Sequence, residues 1–102
     1  MEISKIITKR VRQTKKSIFR PTAIFSILSN TNCFRIFSSL VKYDKLTSQD
    51  IAVALKISRS LATRYLTKLE SNHILTKRID GRELYYYLNH ENPQVAAVES
   101  LF

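Results

Sequence analysis

Residues 46–72, LTSQDIAVALKISRSLATRYLTKLESN, decide the fold, because their spacing predicts two short helices joined by a tight turn. Thr47 and Asp50 make an S/T-x-x-D/E start signal, in which the threonine oxygen accepts a free backbone N–H and the carboxylate favours the positive end of the helix. Ile51, Ala52 and Leu55 then share one face. Past Lys56 and Ile57, Ser58 is a preferred N-cap, and Ala62, Tyr65, Leu66 and Leu69 follow at i, i+3, i+4, i+7 spacing on a second helix. The opposite face of that helix holds Arg59, Ser60, Thr63, Arg64, Thr67 and Lys68. Hydroxyls and guanidinium groups suit base edges, and cations suit phosphates, so these six with Ser58 are the candidate DNA-reading set. The stretch reads as a helix-turn-helix.

Residues 74–78 and 83–88 are rich in β-branched and aromatic side chains and flank Asp80-Gly81, which predicts two antiparallel strands and a tight turn. Gly81 is the only glycine in the chain. Lys77, Arg78 and Arg82 surround the tip of this hairpin and are its candidate DNA contacts, as expected of a wing after a recognition helix. Three segments in this order, LSNTNCFRIFSSL from Leu28, LTSQDIAVALKISRSLATRYLTKLESNHIL from Leu46 and RIDGRELYYYL from Arg78, resemble the ArsR-type winged-helix repressors. That resemblance implies a winged helix-turn-helix fold, double-stranded DNA as partner and repression of transcription. Asn30, Thr31, Asn32 and Cys33 stand where the family often has Asp-Pro-Thr-Arg, and Lys56 and His73 stand where it commonly has glycine. Asn72 is therefore expected to take the left-handed cap in place of His73.

With 102 residues, 44% of them apolar, the chain is expected to form a single domain, 1–102, with a small core. A formal charge of +9 favours a polyanionic partner. No apolar run is long enough for a transmembrane helix, and residues 1–20 lack the apolar centre of a signal peptide, so a cytoplasmic protein without a membrane partner is expected. The single cysteine excludes an internal disulfide.

Residues 1–20 carry Ile3, Ile6, Ile7, Val11, Thr14 and Ile18 as a stripe at helical spacing, with lysines and arginines around it, and Pro21 ends this basic helix. Its basic face is as well suited to anionic membrane as to DNA phosphates. Helices are expected at 22–29 and 32–42, with Tyr43, Asp44 and Lys45 as a loop. A closing helix over 93–102 carries Val95, Val98 and Leu101. The fold class is thus mainly α with a small β-hairpin, in the order α-α-α-α-α-β-β-α. Ile3, Ile7 and Val11, with Val95, Val98 and Leu101, are expected to pair with a second copy, since so small a monomer has little else to cover them.

Cys33 is the one candidate for a redox role, but a lone cysteine on a helix reads first as a small half-buried packing residue. His73 reads as a helix-end residue, and His90 with Glu91 and Glu99 falls short of the ligand count a metal needs, so no metal or other cofactor is expected. Of Tyr85, Tyr86 and Tyr87, strand alternation sends Tyr86 toward the core with Leu84 and Leu88, and the other two away from it. There is no phosphate loop and no nucleophile beside a base, so neither an enzyme nor a small-molecule substrate is indicated. The sequence points to a DNA-binding transcription regulator, a homodimeric repressor on an inverted repeat without a metal switch. The competing reading is a winged-helix RNA-binding or protein-interaction module.

Overall fold

The computed structural model describes residues 21–102; the expected basic helix and its residues Ile3, Ile7 and Val11 lie outside the described part. The described elements run α1 (Pro21–Leu28), α2 (Thr31–Tyr43), β1 (Lys45–Leu46), α3 (Ser48–Leu55), α4 (Arg59–Ser71), β2 (Leu75–Asp80), β3 (Glu83–Leu88) and α5 (Pro93–Glu99). This is the winged helix fold. Asn30 caps α2 by accepting the backbone N–H groups of Asn32 and Cys33 at 2.9 and 3.1 Å. Cys33, Ile36, Phe37 and Leu40 then turn one face of α2 inward, where they share a core with Ile51 and Leu55 of α3, Ala62, Leu66 and Leu69 of α4, and Leu75, Tyr86 and Leu88 of the sheet.

The sheet is antiparallel in the order β1-β3-β2. Lys45 and Leu46, expected within or beside a loop, are a two-residue strand opposite Tyr87 and Tyr86. So short a strand carries no periodicity of its own; it forms because β3 offers an unpaired edge. On the other side of β3, β2 pairs from Leu75↔Leu88 to Asp80↔Glu83. The turn is therefore Gly81-Arg82, one residue later than the sequence implied. Gly81 has φ +68° while Arg82 stays at negative φ, the pattern of a hairpin turn with glycine first. A Cβ on Gly81 would meet nothing, so the requirement for glycine there is the backbone angle alone.

Both helices of the motif end in the same way. After α3, Lys56 takes φ 58° and ψ 45°, and the N–H of Ile57 donates to the carbonyl of Ala52 at 3.1 Å. After α4, His73 takes φ 61°, its N–H donates to Glu70 O at 3.0 Å, and the N–H of Ile74 donates to Leu69 O at 3.0 Å. These are the reverse bonds of a Schellman ending, which satisfy the last carbonyls of a helix. His73, and not Asn72, holds the left-handed position; Asn72 sits at φ −97°. The chain must reverse one residue later than expected so that Ile74, 1% exposed, drops into the core.

Two further expectations change in the folded chain. Leu84 has the predicted strand phase but is 38% exposed, because the hairpin runs on past the edge of the core. Val95 and Val98 are 0% and 7% exposed and belong to the chain's own core, so they are not free for a partner, whereas Leu101 is 77% exposed. Asn92, the one buried polar residue among the described residues, caps α5 by accepting the N–H of Gln94 at 2.9 Å and donates its amide to the carbonyl of His73 at 2.9 Å.

Two stability changes of opposite sign follow from these helix ends. Lys56→Gly relieves a left-handed lysine and is expected to stabilise the fold by up to about 1 kcal/mol, after the greater freedom of glycine in the unfolded chain is deducted. Ser58→Ala removes the oxygen that accepts the N–H of Leu61 at 3.1 Å, and is expected to cost about 1 kcal/mol. Thermal unfolding of the two variants checks both, and a lowered midpoint for Lys56→Gly would show that strain is not what this lysine contributes.

Candidate nucleic-acid interface

The outer face of α4 follows from how α4 is held. Thr47 Oγ1 accepts the N–H of Asp50 at 3.0 Å and Asp50 Oδ2 accepts the N–H of Thr47 at 3.0 Å, a closed capping box that fixes the start of α3. The left-handed Lys56 then turns the chain, and Ile57 packs against the core at the head of α4. Ala62, Leu66 and Leu69 are each 0% exposed, which fixes the rotation of α4 about its axis. The opposite face must then be Arg59, Ser60, Thr63, Arg64, Thr67 and Lys68, and all six are exposed.

These side chains are not equally available. Ser58 is exposed, but its oxygen is engaged as the cap. Thr63 Oγ1 donates back to the carbonyl of Arg59 at 2.9 Å, a helix-internal bond that leaves its methyl outward. Arg59 Nε donates to Ser48 Oγ at 3.4 Å, bridging the starts of α4 and α3. The side chains of Ser60, Arg64 and Thr67 make no hydrogen bond to another described residue. They therefore have donors and acceptors to offer a base edge without breaking anything first.

Strand alternation divides the wing cations, which the sequence had grouped together. Lys77 lies on the core side of the sheet and its Nζ stands 4.0 Å from Glu70 Oε1, back toward the end of α4. Arg82 is in the turn at the tip. Arg78 lies on the outer side, with its guanidinium 5.3 Å from the centre of the Tyr87 ring, so the three do not converge. The same outer side holds Lys45, whose Nζ is 4.4 Å from the centre of the Tyr85 ring and 3.3 Å from Asp80 Oδ2. The hydrogen bond that Lys45 donates to Asp80 is the main reason its ammonium is pushed above its ordinary pKa. Tyr85 and Tyr87 thus do face away from the core, as alternation required.

Two nearby groups had no distinct signal in the sequence. Arg35 of α2 is off the core stripe, and its Nη2 donates to the carbonyl of Ala54 at 3.5 Å, which places a cation at the end of α3. Ser48 joins the interface only through Arg59, eleven residues away. Cys33 is 0% exposed, more deeply buried than expected, and burial raises its thiol pKa against the opposing charge of Lys68. A thiol held protonated and out of solvent is a poor target for oxidants. His90 Nε2 and Glu99 Oε1 are 2.8 Å apart, and among the described residues no group of three or more His, Cys, Asp or Glu side chains could hold a metal ion. No helix of the described residues is long and apolar enough to cross a membrane.

A family model described as "Winged helix-turn-helix DNA-binding" matches residues 29–76, which span α2 to the start of β2. Comparison with curated proteins gives no match. Among solved structures, the transcriptional repressor PagR of Bacillus anthracis is 25% identical, with a TM-score of 0.68 over 78% of this chain and 88% of that one. HlyU from Vibrio cholerae is 19% identical, with a TM-score of 0.69 over 78% of this chain and 84% of that one. A homodimeric winged helix-turn-helix DNA-binding domain from Mycobacterium bovis, described as "a possible ArsR-family transcriptional regulator", is 24% identical, with a TM-score of 0.67 over 79% of this chain and 73% of that one. Residues 29–76 thus match a winged helix-turn-helix DNA-binding family model, and the described fold is similar to that of these three proteins.

Proposed function

We propose that this protein is a sequence-specific regulator of transcription that binds double-stranded DNA as a homodimeric repressor, on an inverted repeat, without a metal switch. The observation that carries the reading is the face of α4, where Ser60, Arg64 and Thr67 are exposed and make no hydrogen bond within the described chain. Arg59 and Lys68 flank them, and no carboxylate lies between residues 59 and 68. Such a face gains nothing from the fold itself; a major groove would use both its hydroxyls and its charges. Ser58, Arg59 and Thr63, with hydroxyl or guanidinium groups partly engaged, act in positioning, and Arg82 contacts backbone or minor groove.

The dimer reading rests on a second surface. Phe25, Leu28, Phe34, Val98, Leu101 and Phe102 line an apolar groove of about 490 Å³ between α1, α2 and the end of α5. Phe25 and Leu101 are 58% and 77% exposed there, an apolar cluster that a second copy would cover. Two α4 helices in successive major grooves would then stand about 34 Å apart on the duplex. Leu101 would take the part expected of it in this contact, Val98 lines the groove from the core, and Ile3, Ile7 and Val11 are proposed to add to the contact.

Selection of bound duplexes from a random DNA pool tests the reading of sequence. Arg64→Ala is expected to lose about 1–3 kcal/mol on the selected site and little on random DNA, with wild-type affinity equal in chelator and in sub-micromolar zinc. An unchanged ratio of specific to random binding in Arg64→Ala would move the reading to another element, and a strong response to zinc would overturn the metal-independent reading. If structured RNA competes better than any duplex, the RNA-binding alternative takes its place. For the dimer, light scattering at micromolar concentration is expected to give twice the chain mass for the wild type and a lower mass for Leu101→Glu; a wild-type monomer would refute it.

A further inference from the structure

Ile79 is 78% exposed, the highest value among the large apolar side chains of the described residues. It stands directly opposite Leu84, 38% exposed, on the last inward-facing rung of the hairpin before the Gly81-Arg82 turn. The inward rungs below are Lys77↔Tyr86 and Leu75↔Leu88, and the lowest lies in the core. Ile79 and Leu84 thus continue the core face into open space, on the side of the sheet that α4 packs against.

Charge is sorted across the tip. Asp80 and Glu83 pair on the opposite face of the hairpin, where Lys45 neutralises Asp80 at 3.3 Å. On the face of Ile79 and Leu84 the nearest charged neighbour along β2 is Lys77, with Glu70 4.0 Å from its ammonium, and Arg82 stands at the apex. An apolar pair with a cation at the apex, the tip carboxylates Asp80 and Glu83 on the other face and Glu70 paired with Lys77, complements a narrow polyanionic groove. Apolar wedges of leucine or isoleucine beside arginine are a general means by which proteins enter the minor groove and unstack a base step. An isoleucine placed only for strand propensity has no need of an apolar partner across the rung or of this charge arrangement.

From this arrangement we infer that the wing tip is an apolar wedge, in which Ile79 and Leu84 enter the minor groove beside Arg82 and deform the duplex next to the site that α4 reads. The inference rests on the DNA-reading function proposed above and adds bending to it. Specificity then extends to base steps that no polar side chain touches, because flexible steps deform more easily.

The test uses the full chain on its selected duplex, with donor and acceptor dyes at the duplex ends to report bending and a salt titration to report phosphate contacts. Wild type is expected to shorten the end-to-end distance on binding. Ile79→Ala, at an exposed position that leaves the core intact, is expected to bind roughly fiftyfold more weakly, the scale of losing three carbon groups from an apolar contact. It should also bend the duplex less, with the salt slope unchanged because no phosphate contact is lost. Arg82→Ala should lower the salt slope instead. Wild-type affinity and bending in both Ile79→Ala and Leu84→Ala would overturn the wedge while leaving sequence reading intact, as would a loss of affinity with bending unchanged. A wild type that selects no duplex would remove the DNA-reading function and the wedge together.

Discussion

The relative placement of α4 and the wing depends on one residue, His73. It holds a left-handed backbone between the last turn of α4 and the first residue of β2, a conformation that costs a side chain with a Cβ on the order of 1 kcal/mol. Its carbonyl accepts the side-chain amides of Asn89 at 3.0 Å and Asn92 at 2.9 Å. Those two residues lie beyond β3 and at the cap of α5, so one carbonyl ties the end of α4, the return of the hairpin and the start of the closing helix together. Ile74 immediately follows into the core. The wing cannot swing relative to α4 without breaking these bonds and withdrawing that side chain, which couples the two elements.

A second constraint is where the carboxylates go. The chain has only eight acidic side chains against seventeen lysines and arginines, so each one that pairs internally helps decide where positive charge stays uncompensated. Asp50 closes the capping box of α3, Asp80 holds Lys45, Glu70 faces Lys77 and Glu99 holds His90. None of these pairs reaches the stretch from Arg59 to Lys68. The pairs themselves are exposed and contribute little stability. Their effect is on where positive charge is left uncompensated, and the stretch from Arg59 to Lys68 carries no carboxylate.

The interior tells the same story from the other side. Cys33 shares the core cluster with Ala62, Leu66 and Leu69 of α4, at zero exposure with its thiol pKa raised by burial. Its position in the packing contact between α2 and α4 explains the residue without any reactive role. Phe102 closes the far edge of α2, with its ring centre 5.7 Å from Phe34 and 5.5 Å from Phe37. Phe25, Phe34, Leu101 and Phe102 leave apolar surface open at this end of the molecule, Ile79 and Leu84 at the wing tip, and Val53 singly on α3.

The sequence by itself determined the elements whose causes lie within a few residues. The capping box at Thr47 and Asp50, the cap at Ser58, the i, i+3, i+4, i+7 face of α4 and the glycine of the hairpin turn are all local, and from them the fold and the exposed face of α4 could be read. What only the tertiary structure decided depended on where other elements end. Lys45 and Leu46 became a strand because β3 had a free edge, and His73 became left-handed because Ile74 had to reach the core. Lys77, rather than Arg78, came to stand beside Glu70 because the Lys77 face of the hairpin is the one turned toward the core. Val95 and Val98 went inward, and Ile79 and Leu84 stayed outside, because the core begins under α5 and stops short of the wing tip. An apolar residue carries the same signal whether it is inside or out; only the reach of the neighbouring elements settles which.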